Sequence, residues 1–196
     1  SSLTEPAVAN TVADSARAGQ IIVASSSMPI RDLEWYSRMG KGVTVLSNRG
    51  ANGIDGVLST AIGAATTTNK TVHVLIGDVA FLHDSSALTA LNKRDVNMRI
   101  VVTDNDGGAI FSFLAQKQTL TSERYEQLFG TPHGTDLIKL AKAHGLKSVV
   151  VNTRDSLKRA LAGRGVKVIV VKTNRDSNLE EHNRINSAVS QRLSSQ

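Results

Sequence analysis

The sequence predicts an α/β fold, a doubly wound, mostly parallel sheet of about six strands with helices on both faces. Three observations carry that expectation. Short β-branched runs alternate with helical stretches along the chain, joined by short connections. The runs Val72–Ile76 and Ile100–Thr103 are nearly continuous in apolar residues, as strands buried on both faces of a parallel sheet read. The first run ends in glycine and acid, Gly77-Asp78-Val79, and the second in acid, amide and glycine, Asp104-Asn105-Asp106-Gly107-Gly108. Both loops therefore emerge at the carboxyl edge of the sheet, where open α/β folds bind ligands.

Taken in order, Val8–Arg17 reads as a helix leading to the strand Ile21–Ala24. Ser25-Ser26-Ser27-Met28-Pro29 opens a helix around Ile30–Arg38, with Pro29 suited to its first turn. Val43–Leu46 is a second strand, ending in Ser47-Asn48-Arg49-Gly50. Ile54–Thr66 is small and apolar, a helix packed closely on the sheet, and a further helix is expected near Ser85–Leu91. After the second loop come the apolar Ile110–Leu114 and a helix over Thr135–His144, with Gly145 as its stop. The strand Ser148–Val151, a helix at Ser156–Ala162, the strand Val166–Val171 and a helix near Leu179–Leu193 complete the chain.

The 196 residues suit a single domain with a sizeable core, and 40% hydrophobic with 20% charged residues is ordinary for a globular domain. With aromatics at 4%, the core must come from Val, Ile, Leu and Ala. The absence of cysteine excludes disulfides, thiolate metal sites and a cysteine nucleophile, and agrees with a reducing, cytoplasmic setting. No apolar run reaches the roughly 18–20 residues that cross a membrane, and the basic-then-apolar order of a signal peptide is missing. The net charge of +6 invites a nucleic-acid reading. Its basic clusters are short, Lys93-Arg94 and Arg164 to Lys172, and no aromatics interleave them, so attraction of small polyanions is the better use.

Asp78 alone reads as a helix N-cap. Paired with Asn105 at the edge of a second strand, and with Gly107-Gly108 beside it, the two loops offer a carboxylate, an amide and an exposed carbonyl. Three hard oxygen donors suit Mg²⁺ holding a diphosphate, and glycines let backbone approach the phosphates. Arg49 either grips a carboxylate or is solvated. Ser25–Ser27 and Arg31, at a helix start, either favour an anion or serve the helix. Ile110, Phe111, Phe113 and Leu114 read as core, part of which must flank whatever binds the loop. His73, His83, His133, His144 and His182 lack metal spacing, and no GxxxxGK[ST], GxGxxG or GxSxG motif occurs.

At these residues the chain resembles the diphosphate-binding domain of thiamine-diphosphate enzymes, whose signature is Gly-Asp-Gly followed by a downstream Asn. The more specific resemblance is to the 2-succinyl-5-enolpyruvyl-6-hydroxy-3-cyclohexene-1-carboxylate synthases of menaquinone biosynthesis. The blocks that carry this are Ser26-Ser27-Met28-Pro29-Ile30-Arg31-Asp32, Ser47 to Gly56, Gly107 to Leu114, and Phe129-Gly130-Thr131-Pro132-His133-Gly134. The resemblance implies that Asp78, Asn105 and the Gly107 carbonyl hold Mg²⁺ (or Mn²⁺) on the diphosphate. It places Ser26, Ser27, Gly77 and Val79 beside thiamine diphosphate, Ile54 beneath its bent form, and Ile110 and Phe111 around the reacting centre. Ser27, Arg31, Arg49, Ile110, Phe111 and Leu114 become the substrate contacts.

The implied reaction decarboxylates 2-oxoglutarate and adds the resulting carbanion equivalent to isochorismate. The family's pyrimidine-binding domain, which supplies the glutamate that activates the cofactor, and its central domain have no counterpart in residues 1–196. The expectation is therefore one diphosphate-binding domain, inactive alone, in a homo-oligomer that shares its active site with a pyrimidine-binding domain. Val79 replaces the third signature glycine, Ala80 a common hydroxyl residue, and Asp104 and Asp106 flank Asn105 with added negative charge. Two other readings stand beside this one: a cofactor subunit of a two-chain 2-oxoacid decarboxylase or oxidoreductase, and a non-catalytic diphosphate-binding module.

Overall fold

A computed structural model describes residues 3–48, 50 and 53–195. Thr4 starts helix α1 (Glu5–Ser15) by accepting the Ala7 N–H, with Pro6 in the first turn, so the helix begins ahead of its sequence-predicted start. Strand β1 (Ile21–Ala24), helix α2 (Met28–Tyr36) and strand β2 (Thr44–Leu46) follow, then helix α3 (Val57–Thr68) and strand β3 (Val72–Gly77). Helix α4 (Asp78–His83) begins directly on the end of β3, and strand β4 (Met98–Asp104) comes next. Two short helices, α5 (Gln116–Thr119) and α6 (Ser122–Tyr125), precede α7 (Leu137–Ala143), β5 (Lys147–Val151), α8 (Arg154–Leu161), β6 (Val166–Lys172) and α9 (Arg175–Ser194).

The six strands form one sheet in the order β2-β1-β3-β4-β6-β5, and every neighbouring pair is parallel. Ile21, Val74, Ile76, Ile100 and Val168 pack on one face under α3 and α7, and Ile22, Leu75, Val101 and Ile169 on the other under α1 and α8. Burial on both faces, read from the continuous apolar runs, holds for β1 and β4 throughout. The outer strands differ: Val45 in β2 is 37% exposed and Val150 in β5 53%.

The helix expected at Ser85–Leu91 is instead two 3₁₀ turns, Ser85–Leu88 and Leu91–Lys93. Ala90 sits at φ +58°, which interrupts any helix, and the Asp84 carboxylate ties the turn to α3 by accepting from Ser59 N (2.8 Å) and Oγ (3.1 Å). The helix expected from Ile54 starts only at Val57. Among the described residues no helix is long and apolar enough to cross a membrane.

Candidate functional site

Strand β1 leads to β2 on one side while β3 lies on its other side, so the order in which strands are added across the sheet reverses between β1 and β3. A cleft opens there at the carboxyl ends of the strands, the place where such sheets bind ligands, with a volume of about 480 Å³. Its walls come from the turns after β1, β3 and β4 and from the 3₁₀ turn Ala109–Phe113.

The loop after β4 is held by Asp78. Asp78 Oδ2 accepts the backbone N–H of Asn105 (3.0 Å) and of Gly107 (3.1 Å), and Oδ1 accepts its own neighbour Val79 N–H (2.7 Å). The N-cap of α4 is Gly77, which leaves the Asp78 carboxylate free to bind across strands. Burial raises its pKa, partly offset by the N–H groups of Gly107 and Val79.

Asn105, at 8% exposure, donates from Nδ2 to Glu5 Oε1 (2.9 Å), and its Oδ1 is buried without a hydrogen-bond partner. Such a buried acceptor without a partner, on a residue that lines the cleft, has the chemistry of a ligand for a cation. Glu5 also accepts Thr173 Oγ1–H (2.8 Å) and Asn178 Nδ2–H (3.2 Å), and burial pushes its carboxyl up to about 7 against the Asn105 and Thr173 hydrogen bonds.

The glycines of the loop serve a different neighbour from the one expected. A Cβ on Gly107 (φ +138°) would fall 1.9 Å from the Gly130 carbonyl oxygen, and one on Gly108 2.4 Å from that of Phe129. They are required by close packing on the turn 129–131, where Gly108 N–H donates to Gly130 O (2.8 Å). Gly77 has open space around its Cβ position and lines the cleft.

Of the sequence-predicted residues, Ser26, Ser27, Arg31, Ile54, Gly77, Asp78, Val79, Asn105, Gly107, Ile110 and Phe111 all line the cleft. Ser26 Oγ–H donates to Asn48 O (3.1 Å), joining the loops after β1 and β2. Ser27 is the N-cap of α2 at φ 75° and ψ −139°, a conformation that costs a non-glycine residue. Arg31 Nη1 donates to Ser27 O (2.6 Å), folding its guanidinium back over that turn. Phe111 meets the Phe129 ring edge-on at 5.5 Å. Leu114 lies beyond the 3₁₀ turn, 46% exposed and outside the cleft wall. Arg49 lies outside the described residues.

Sequence reasoning missed Glu5, which looks like an ordinary first-turn acid of α1, and the approach of His133 to Asp78. One atom each of Asp78, Asp104 and His133 lies within 4.8 Å of the others, a second possible donor set. Two contacts argue against a cation there. Thr135 N–H donates to His133 Nδ1 (2.9 Å), so the ring proton sits on Nε2, which faces Asp78 Oδ2 at 3.4 Å. Asp104 Oδ2 is paired with Lys172 Nζ at 2.5 Å, which leaves Asp104 only its buried, unpartnered Oδ1.

The chain also matches known proteins. The family model described as thiamine pyrophosphate enzyme, C-terminal TPP binding domain, matches residues 31–171. The chain belongs to this thiamine pyrophosphate enzyme family. The TPP-binding domain is 40% identical over 188 residues to the 2-succinyl-5-enolpyruvyl-6-hydroxy-3-cyclohexene-1-carboxylate synthase of Myxococcus xanthus, covering 93% of this chain and 32% of that protein. It is 41% identical over 172 residues to the synthase of Bacillus cytotoxicus, covering 85% of this chain and 29% of that protein. The chain thus spans about a third of the length of these curated relatives. The crystal structure of benzoylformate decarboxylase from Polynucleobacter necessarius superimposes with a TM-score of 0.70 at 22% identity, over 87% of this chain and 33% of that one, which supports the fold.

Proposed function

We propose that this TPP-binding domain forms the diphosphate- and cation-binding half of the active site of a 2-succinyl-5-enolpyruvyl-6-hydroxy-3-cyclohexene-1-carboxylate synthase, with 2-oxoglutarate and isochorismate as substrates. Asp78, the Asn105 amide and the Gly107 carbonyl hold Mg²⁺ or Mn²⁺ against the cofactor diphosphate. The observation that carries this is Asn105 Oδ1, buried and without a partner, on a loop whose backbone Asp78 already fixes. An all-oxygen donor set suits Mg²⁺ better than the set containing His133.

Thiamine diphosphate supplies the thiazolium that accepts the electrons released on decarboxylation. This chain's residues bind and orient it. Ser26, Ser27, Gly77 and Val79 line the diphosphate end, and Ile54 supports the bend between the rings. Ile110 and Phe111 exclude water from the reacting centre. Ser27, Arg31 and Arg49 meet the carboxylates of the two dicarboxylate substrates, and Leu114 adds an apolar contact once a neighbouring domain covers it. The domain acts in the cytoplasm, within a homo-oligomer whose pyrimidine-binding domain completes the site, and is inactive alone.

Titration calorimetry of the chain with thiamine diphosphate, with and without Mg²⁺, tests the reading. Metal-dependent binding that Asp78→Asn weakens is the expected result. Binding indifferent to both metal and Asp78 refutes the assignment of the loop. Turnover of 2-oxoglutarate with isochorismate by the isolated chain refutes its inactivity.

A further inference from the structure

The strongest unassigned feature near the cleft is Glu5. It is 3% exposed, comes from the first turn of α1, and reaches three other parts of the fold. Oε1 takes Asn105 Nδ2–H at 2.9 Å and Thr173 Oγ1–H at 2.8 Å, and Oε2 takes Asn178 Nδ2–H at 3.2 Å. Thr173 follows β6 and Asn178 lies in α9, so residues far apart in sequence converge on one carboxylate. All three neighbours donate, which is what a carboxylate requires of a buried site. A salt bridge to a basic side chain is not among its described contacts.

The consequence falls on the Asn105 amide. Such an amide can sit either way round, and the two orientations present opposite groups to the cleft. With the ionised Glu5 carboxylate behind it, which only accepts, only the orientation with Nδ2 towards Glu5 makes a hydrogen bond, so Oδ1 faces the other way. That is the atom left buried and without a partner.

We propose that Glu5 is a positioning residue that fixes the Asn105 side chain with its carbonyl oxygen presented to the cation. The inference deepens the metal reading given above and rests on it. Glu5, which the cleft also reaches, acts through Asn105. Outer partners of this kind commonly govern metal affinity by about 10–100-fold.

Three variants separate orientation from charge. In Glu5→Gln the amide oxygen still accepts from Asn105 and Thr173, while its new N–H₂ faces Asn178. Asn178 Oδ1 is buried without a partner, so a flip of that amide accepts the new donor. Geometry is kept and charge is lost. Glu5→Asp keeps the charge but withdraws it by one methylene from Asn105. Glu5→Ala removes both.

The first readout needs no metal: nuclear magnetic resonance of the Asn105 side-chain N–H₂ in the cofactor-free chain. Its protons should be slow to exchange in the wild type and in Glu5→Gln, and fast in Glu5→Asp and Glu5→Ala. The second is the affinity for Mn²⁺ in the presence of thiamine diphosphate, read from the electron paramagnetic resonance of free Mn²⁺. Affinity close to wild type in Glu5→Gln and about 10–100-fold weaker in Glu5→Asp and Glu5→Ala supports the proposal. Should Glu5→Ala fail to fold, the Gln and Asp variants decide alone. The reverse order, with Asp tight and Gln weak, overturns it in favour of the charge itself. Unchanged Mn²⁺ affinity in Glu5→Asp together with fast amide exchange also overturns it. A wild-type chain that takes up no Mn²⁺ refutes the metal reading and with it the presentation to a cation, a failure visible before any variant is compared.

Discussion

Replacing Asp78 by alanine removes the acceptor that closes the loop after β4, and the size of the loss can be worked from the contacts. The carboxylate is 2% exposed and accepts Asn105 N–H and Gly107 N–H on Oδ2. Alanine leaves both buried donors without partners, each costing about 1–3 kcal/mol. Relief of a carboxylate whose pKa burial has raised returns part of the sum, so the expected net loss is about 3 kcal/mol. Urea unfolding should show that loss with an unchanged m-value. Hydrogen exchange should show Asn105 and Gly107 amides opening about 100-fold faster than in the wild type, the equivalent of the same free energy. Asp78→Asn, which retains one oxygen acceptor, should lose less. Unchanged stability, with both amides still protected, would refute the view that Asp78 holds the loop as well as offering a metal ligand.

Other expectations follow from single contacts. Gly107→Ala forces a Cβ into the Gly130 carbonyl at positive φ, so the 107–108 and 129–131 turns must part; unfolding should show a loss of about 3 kcal/mol or more, and a wild-type midpoint would contradict the packing. Ser27→Gly should stabilise the chain by about 1 kcal/mol, because Ser27 holds φ 75° and ψ −139° without capping α2 through its side chain; a destabilised variant argues that the hydroxyl has a structural partner. His73 is buried, and burial first and the Arg99 charge second push its pKa down to about 4 from 6.5. A folded pKa below the unfolded one means stability complete above pH 6.5 and lost as pH falls through 4. Between pH 7 and 5 the loss should be about 2 kcal/mol. Glu5, raised to about 7, acts with the opposite sign over the same range, so the test is the difference between the wild type and His73→Gln. Equal pH slopes for the two would show that His73 titrates normally.

The two loops that matter most could be found in the sequence because their chemistry is local. An apolar run followed at once by acid and glycine, with an amide as well in the second loop, specifies a buried strand and a polar turn at its end, whatever surrounds them. The alternation of such runs with helical stretches likewise predicts the six parallel strands seen. The alternation does not reveal strand order, and so could not show that β1 and β3 flank the reversal where the cleft opens. Helix boundaries at the site were also beyond it. Asp78 reads as a cap, but β3 runs into α4 without a turn, and Gly77 takes the cap position.

Contacts between distant residues account for the rest. Gly107 and Gly108 carry the same letters whether they meet a phosphate or the backbone of 129–131, and only packing distinguishes these. His133 has no metal-like spacing, yet the turn from Glu126 to Gly130 brings it to Asp78. Glu5 is an acid in the first turn of a helix, a common and usually solvated position. It becomes a buried acceptor only because β4, β6 and α9 each bring a donor to it. The sequence by itself determined the class of fold and the oxygen donors at its carboxyl edge, since periodicity and turn chemistry act over a few residues. Tertiary structure decided which donors meet, which way the Asn105 amide faces and what keeps it there, because those follow from contacts across as many as 173 positions of chain.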